Sequence, residues 1–141
     1  MEQPAGNKIT GNPSSHPALS VKWVEDFPDI PLNRNEAYKL RVTSKGVEIE
    51  AITETGVYRA IQTLRQLTEK KGNGIAITGC EITDWPAFRI RGFMQDVGRT
   101  YISTDELKRE IAILARYKIN VFHWHLTENR HGACKARCSQ C

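Results

Sequence analysis

The sequence predicts two unlike pieces in tandem: an α+β layer built on an antiparallel hairpin, then a β–α–β unit that implies a parallel sheet. Two observations carry this. Between Tyr38 and Ala51 apolar residues alternate with polar ones, and after Thr53 the period changes to that of a helix. Further on, Ser103 with Glu106 three residues later opens a second helix, set between two runs rich in β-formers, FRIRGFMQDV and VFHWHL.

Taken in order, residues 1–18 are rich in Pro, Gly, Asn and Ser without periodicity and read as a flexible lead-in. LSVKWV, from Leu19, reads as a strand, and EDFPDIPLNRNE, with two prolines, as a loop. Tyr38, Leu40 and Val42, the turn SKG, then Val47, Ile49 and Ala51 make a hairpin with one buried face. Val57, Ala60, Ile61, Leu64 and Leu67 form the apolar stripe of a helix. That helix is expected to end at KKGNG, with lysine in its last turn and glycine just beyond. Ile75 and Ile77 start another strand, and the second piece begins near DWPAF. Its helix is expected to bury Leu107, Ile111, Leu114 and Ala115 and to end at Asn120. A single β–α–β unit is fewer strands than a parallel sheet needs, so the chain reads as cut short.

Bulk properties narrow the classes. At 141 residues the chain holds one ordinary domain, or a small domain plus a fragment of another. With 40% hydrophobic and 26% charged residues it has the composition of a folded protein. The net charge of +4 is spread over stretches of alternating sign such as DELKRE, so no phosphate-tracking stripe forms and no nucleic-acid partner is expected. No run approaches the ~18 apolar residues of a membrane span, and no secretory signal precedes MEQPAGNK. Outside the last eight residues the only cysteine is Cys80, which is no disulfide framework.

Two stretches, ITDWPAFRIRGFMQDVGRTYIS and ARYKINVFHWHLTEN, resemble the β-N-acetylhexosaminidases of glycoside hydrolase family twenty. Members of that family carry D-x-P-x-F-x-x-R-G-x-x-x-D-x-x-R at the start of a catalytic (β/α)8 barrel and K-x-N-x-x-x-x-H-L-[ST]-[DE]-[DN] at its second strand. EAYKLRV, GVEIEA and TGVYRAIQTLRQL resemble the family's N-terminal α+β domain. The resemblance covers residues 19 to 129. It implies an α+β domain over 19–82 and the first βαβ of an incomplete TIM (β/α)8 barrel over 83–129, followed by a non-family tail at 130–141.

The implied activity is removal of terminal N-acetylhexosamine from glycans by substrate-assisted retaining hydrolysis, without cofactor. In that scheme a glutamic acid protonates the leaving oxygen and a neighbouring aspartate orients the acetamido group, both at the end of the fourth barrel strand. This sequence holds two strands, so it carries no catalytic pair and is expected to be inactive as it stands. The resemblance further implies that Arg91 hydrogen-bonds the hydroxyls of the terminal sugar, a task suited to a rigid guanidinium fork. Read without it, Arg91 is a surface or ion-paired arginine. Asp96, His125 and Glu128 are implied as supports of the active site, Asp96 with an equal alternative of holding nearby backbone or Arg99. His123 and His125 share a strand face and read as hydrogen-bonded barrel histidines rather than metal ligands. The parent enzyme is expected to be periplasmic or secreted, and the open barrel edge to favour self-association.

The ending RHGACKARCSQC shows no apolar pattern. A coding stretch for NQAWRLQSKVFPM, less one base in its second codon, reads on as NRHGACKARCSQC, so the tail is read as a shifted frame. The alternative is a small zinc-binding or interaction module, with His131, Cys134, Cys138 and Cys141 as four ligands spaced H-x2-C-x3-C-x2-C.

Overall fold

A computed structural model describes residues 8–9 and 18–127, and divides the chain into two compact units, Met1–Arg89 and Ile90–Cys141. The segment expected to be an irregular lead-in contributes a two-residue strand β1 (Lys8–Ile9). β2 (Ala18–Trp23), β3 (Tyr38–Thr43), β4 (Gly46–Ala51), α1 (Glu54–Gln66), β5 (Thr68–Lys71), β6 (Gly74–Thr78) and β7 (Cys80–Asp84) complete the first unit. The position between residues 82 and 83, where the sequence suggested a change of domain, falls inside β7.

The first unit is a sheet in the order β2-β4-β3-β7 with α1 on one face, and a smaller sheet β1-β6-β5. The hairpin pairs Leu40 with Ile49 and Val42 with Val47, so the alternation of the sequence becomes one apolar face. Tyr38, Leu40, Val42, Val47, Ile49 and Ala51 are buried on it with Ala60, and Val57, Ile61 and Leu64 of α1 pack against them. The other face carries charge in register: Lys22 reaches Glu50 at 2.6 Å and Arg41 reaches Glu81 at 2.9 Å. These exposed pairs select the register more than they stabilise it.

α1 begins where Thr53 accepts the Gly56 N–H, an N-cap that also donates to the Asn35 carbonyl. Gly56 stands where a Cβ would lie 2.5 Å from the Ala37 carbonyl oxygen, so the helix can approach the sheet only with glycine there. The loop before β3 is not featureless. Phe27 and Ile30 are buried with Ala37, and a 3-10 turn, Arg34–Glu36, sends Glu36 to Arg59 at 2.9 Å.

One expectation for this unit fails, and one strand was missed. α1 stops at Gln66, and Lys70 and Lys71 lie in β5. Thr68 Oγ1 donates to the Leu64 carbonyl at 2.9 Å, taking an acceptor of the last turn, and Lys71 then pairs with Gly74 across a two-residue turn. Gly72 in that turn has φ 59, which glycine adopts without strain. β7 was absent from the sequence reading altogether. Its Cys80 and Ile82 alternate with polar residues and complete the apolar face beside β3.

The second unit consists of β8 (Gly92–Asp96), α2 (Thr104–Arg116) and β9 (Val121–His125), with β8 and β9 parallel and in register from Gly92–Val121 to Asp96–His125. The capping box forms as read: Ser103 accepts the Glu106 N–H, and Glu106 receives the Ser103 N–H at 3.0 Å. α2 buries Leu107 but leaves Ile111 46% exposed, contrary to its place on the expected buried face. Two strands offer too little surface to cover four turns of apolar stripe. α2 also ends at Arg116, before Asn120. Lys118, at φ 61, turns the chain, and Asn120 instead accepts the Arg91 N–H at 2.8 Å while donating its own N–H to the Arg91 carbonyl.

Candidate functional site

In a parallel pair all the strands' carboxyl ends lie together, and that end is where β/α barrels place their chemistry. Here β8 ends in Asp96 and β9 in His125, directly opposite each other. Side chains alternate across the sheet, so Met94, His123, Asp96 and His125 share one face, while Phe93 and Phe122 stack on the other with ring centroids 6.3 Å apart. The His123 and His125 rings meet edge to face at 6.3 Å.

Asp96 is the hub. Its Oδ2 accepts from Arg99 Nε at 2.5 Å. Its Oδ1 accepts the backbone N–H groups of Gly98 at 2.8 Å and Arg99 at 3.3 Å, and lies 3.3 Å from His125 Nδ1. The Arg99 guanidinium is the largest influence holding this carboxyl down, to about 2; partial burial opposes it, and His125 and the two backbone amides add to the lowering. A carboxylate so fully occupied as an acceptor serves structure rather than proton transfer. Its contacts hold the Gly98 and Arg99 backbone and the Arg99 side chain. The Val97 N–H to His125 carbonyl bond, 3.0 Å, continues the ladder one step past the strand and fixes the turn that carries Arg99.

Arg91 lies elsewhere. It precedes Gly92 at the amino end of β8, about 16 Å along the strand from Asp96 at the usual rise per residue. Its Nε donates to the Lys118 carbonyl at 2.8 Å, and its backbone exchanges bonds with Asn120. Arg91 thus fastens the α2–β9 turn at the end of the pair remote from Asp96 and His125. The arginine that does stand at the carboxyl end is Arg99, its side chain 71% exposed. The sequence signal for it was present as the last letter of D-x-x-R, a short turn following a strand's final carboxylate.

Glu128 lies outside the described residues, as do His131, Cys134, Cys138 and Cys141. Among the described residues no group of three or more His, Cys, Asp or Glu side chains could hold a metal ion.

An α+β layer leading into a parallel β–α–β unit, with polar groups gathered at the strands' carboxyl ends, is the arrangement with which a β/α-barrel protein begins. Residues 4–85 match glycosyl hydrolase family 20, domain 2, and residues 88–131 match the catalytic domain of the same family. The chain belongs to glycosyl hydrolase family 20, and its second unit is the start of that family's TIM-barrel catalytic domain. It is 41% identical over 136 residues to a β-hexosaminidase of Porphyromonas gingivalis, and 39% identical over 114 residues to a β-N-acetylhexosaminidase of Cellulomonas fimi. These alignments cover 92% and 80% of this chain but 16% and 23% of the relatives' lengths. Among solved structures it resembles the exo-β-N-acetylglucosaminidase of Vibrio harveyi in complex with N-acetylglucosamine, at 37% identity and a TM-score of 0.69. That match covers 79% of this chain and 17% of the other. The zinc-module alternative draws no support from these matches.

Proposed function

We propose that the chain supplies domain 2 and the first barrel elements of a β-N-acetylhexosaminidase, an enzyme that removes terminal N-acetylhexosamine from glycans by retaining, substrate-assisted hydrolysis. The single observation that carries this reading is the meeting of Asp96, Arg99 and His125 at the carboxyl ends of β8 and β9, within a chain whose two segments match one family in order. Arg99 is the sugar-contacting arginine in this reading. Its guanidinium offers a planar set of donors to adjacent hydroxyls on the face where a barrel binds its ligand. Arg91 in the same reading secures the opposite, structural face.

The 141 residues alone carry no turnover in this proposal. Protonation of the leaving oxygen and orientation of the acetamido group need a carboxylate pair that the family resemblance assigns to a later barrel strand. Incubating the purified chain with a chromogenic N-acetylglucosaminide checks this: no release above buffer is expected, and release that scales with protein concentration overturns it. β8 and β9 each leave an unpaired edge among the described residues, and Met94, Trp124, Ile111 and Ile113 are exposed in the same unit, which favours self-association. Sedimentation velocity across a hundredfold range of concentration is expected to show larger species at the upper end; a constant monomer would end that part of the proposal.

A further inference from the structure

We propose that Asp96 is a positioning residue for sugar recognition, acting through Arg99; this rests on the reading of Arg99 as the sugar contact. An exposed arginine side chain has many rotamers, and a ligand that needs one of them must pay for the ordering. Asp96 removes much of that freedom beforehand. One carboxylate holds Arg99 twice, by its backbone N–H at 3.3 Å and by its Nε at 2.5 Å, so both root and head of the side chain are tethered to the same group. Binding through Nε directs the guanidinium plane while the side chain stays 71% exposed.

Asp96 is itself fixed from three directions. The Gly98 N–H bonds its Oδ1 at 2.8 Å, His125 Nδ1 sits 3.3 Å from the same oxygen, and the strand ladder continues through Val97 to His125. Its side chain is only 16% exposed. The carboxylate therefore serves as a rigid seat between a strand end and a solvent-facing cation. A neutral amide of the same shape cannot reproduce this. Its one oxygen can accept from Arg99 or from the backbone and His125 side, and its NH2 would then oppose a donor. Losing a preset geometry for a rotamer-rich side chain weakens binding by about tenfold.

The test uses the 141-residue chain, labelled with nitrogen-15, and N-acetylglucosamine as probe. In the parent, the sugar is expected to shift the Arg99 Nε–H and the Gly98 and Arg99 amides. Arg99→Ala abolishes those shifts, and Asp96→Asn weakens binding about tenfold and broadens or loses the Arg99 Nε–H signal. Should Asp96→Asn fail to fold, the parent without sugar gives the readout: its Arg99 Nε–H signal is expected to be sharp, and one as broad as a free arginine's would overturn the proposal. If Arg99→Ala abolishes binding but Asp96→Asn binds like the parent, the positioning proposal is wrong and the sugar contact stands. If the parent gives no shifts, or Arg99→Ala leaves them unchanged, the sugar-contact reading fails and the proposal falls with it.

Discussion

The hydroxyl of Tyr38 donates to Asp84 Oδ2 at 2.9 Å across the β3–β7 pair, while Thr63 Oγ1 of α1 lies 2.5 Å from the Tyr38 hydroxyl oxygen. With the Tyr38 proton given to Asp84, Thr63 is the donor on the other side, so helix, central strand and edge strand join in one chain of bonds. Tyr38→Phe deletes the middle member. A destabilisation of about 1–2 kcal/mol is expected, because two partners lose a bond at a nearly dry position. Urea unfolding of both proteins measures it, and an unchanged midpoint would show the chain to be ornamental.

Glu36 and Arg59 form the other tie across the first unit. Arg59 is 7% exposed and donates to the Glu36 carboxylate at 2.9 Å, fastening the 3-10 turn to α1. Removing one partner of such a pair leaves a charge in poor solvent, which outweighs the modest value of the pair itself. Glu36→Ala is expected to cost about 3 kcal/mol and Glu36→Ala with Arg59→Met considerably less. A double mutant no better than the single would contradict this.

Gly56→Ala sets helix propensity against packing. Alanine favours a helix by about 1 kcal/mol over glycine, less in the first turn. Here its Cβ would sit 2.5 Å from a backbone oxygen, which cannot swing aside as a side chain could. Overpacking costs about 1–3 kcal/mol and wins. The variant is expected to melt lower than the parent; a rise in Tm would mean that α1 can slide away from Ala37 freely.

The acid limit of the second unit follows from Asp96. Its carboxyl is held at about 2, below the ordinary aspartate value, mainly by Arg99. A depressed folded value contributes stability above about pH 4, and that contribution fades as pH falls toward 2. The Gly98 and Arg99 amide resonances are expected to titrate with a midpoint near 2 rather than near 4. Asp96→Asn should remove the step, and a midpoint near 4 in the parent would show that Arg99 does not hold the carboxylate in solution.

Much of the architecture was legible because period and capping are local. The hairpin from Tyr38 to Ala51 and the two helix starts at Thr53 and Ser103 came out where alternation, stripe and cap residues placed them. What failed were ends and faces. Lys70 and Lys71 look like a basic helix terminus, and only pairing with β6 makes them a strand. Ile111 reads as core by its spacing, yet burial depends on how much surface stands opposite it. β7 went unseen because CEITD is short and half polar, and its strand character comes from the β3 edge it completes.

The site divides along the same line. By itself the sequence determined the family, through motifs whose order and spacing survive without any structure, and it nominated Asp96 and His125 at the ends of two strands. Which arginine belongs with them was decided only in three dimensions. Arg91 and Arg99 stand in one motif, eight residues apart, but a strand carries them to opposite ends of the parallel pair. Direction along a strand is a property of the folded sheet, so the motif alone led to Arg91 as the sugar contact, and the meeting of Arg99 with Asp96 and His125 appears only in the folded pair.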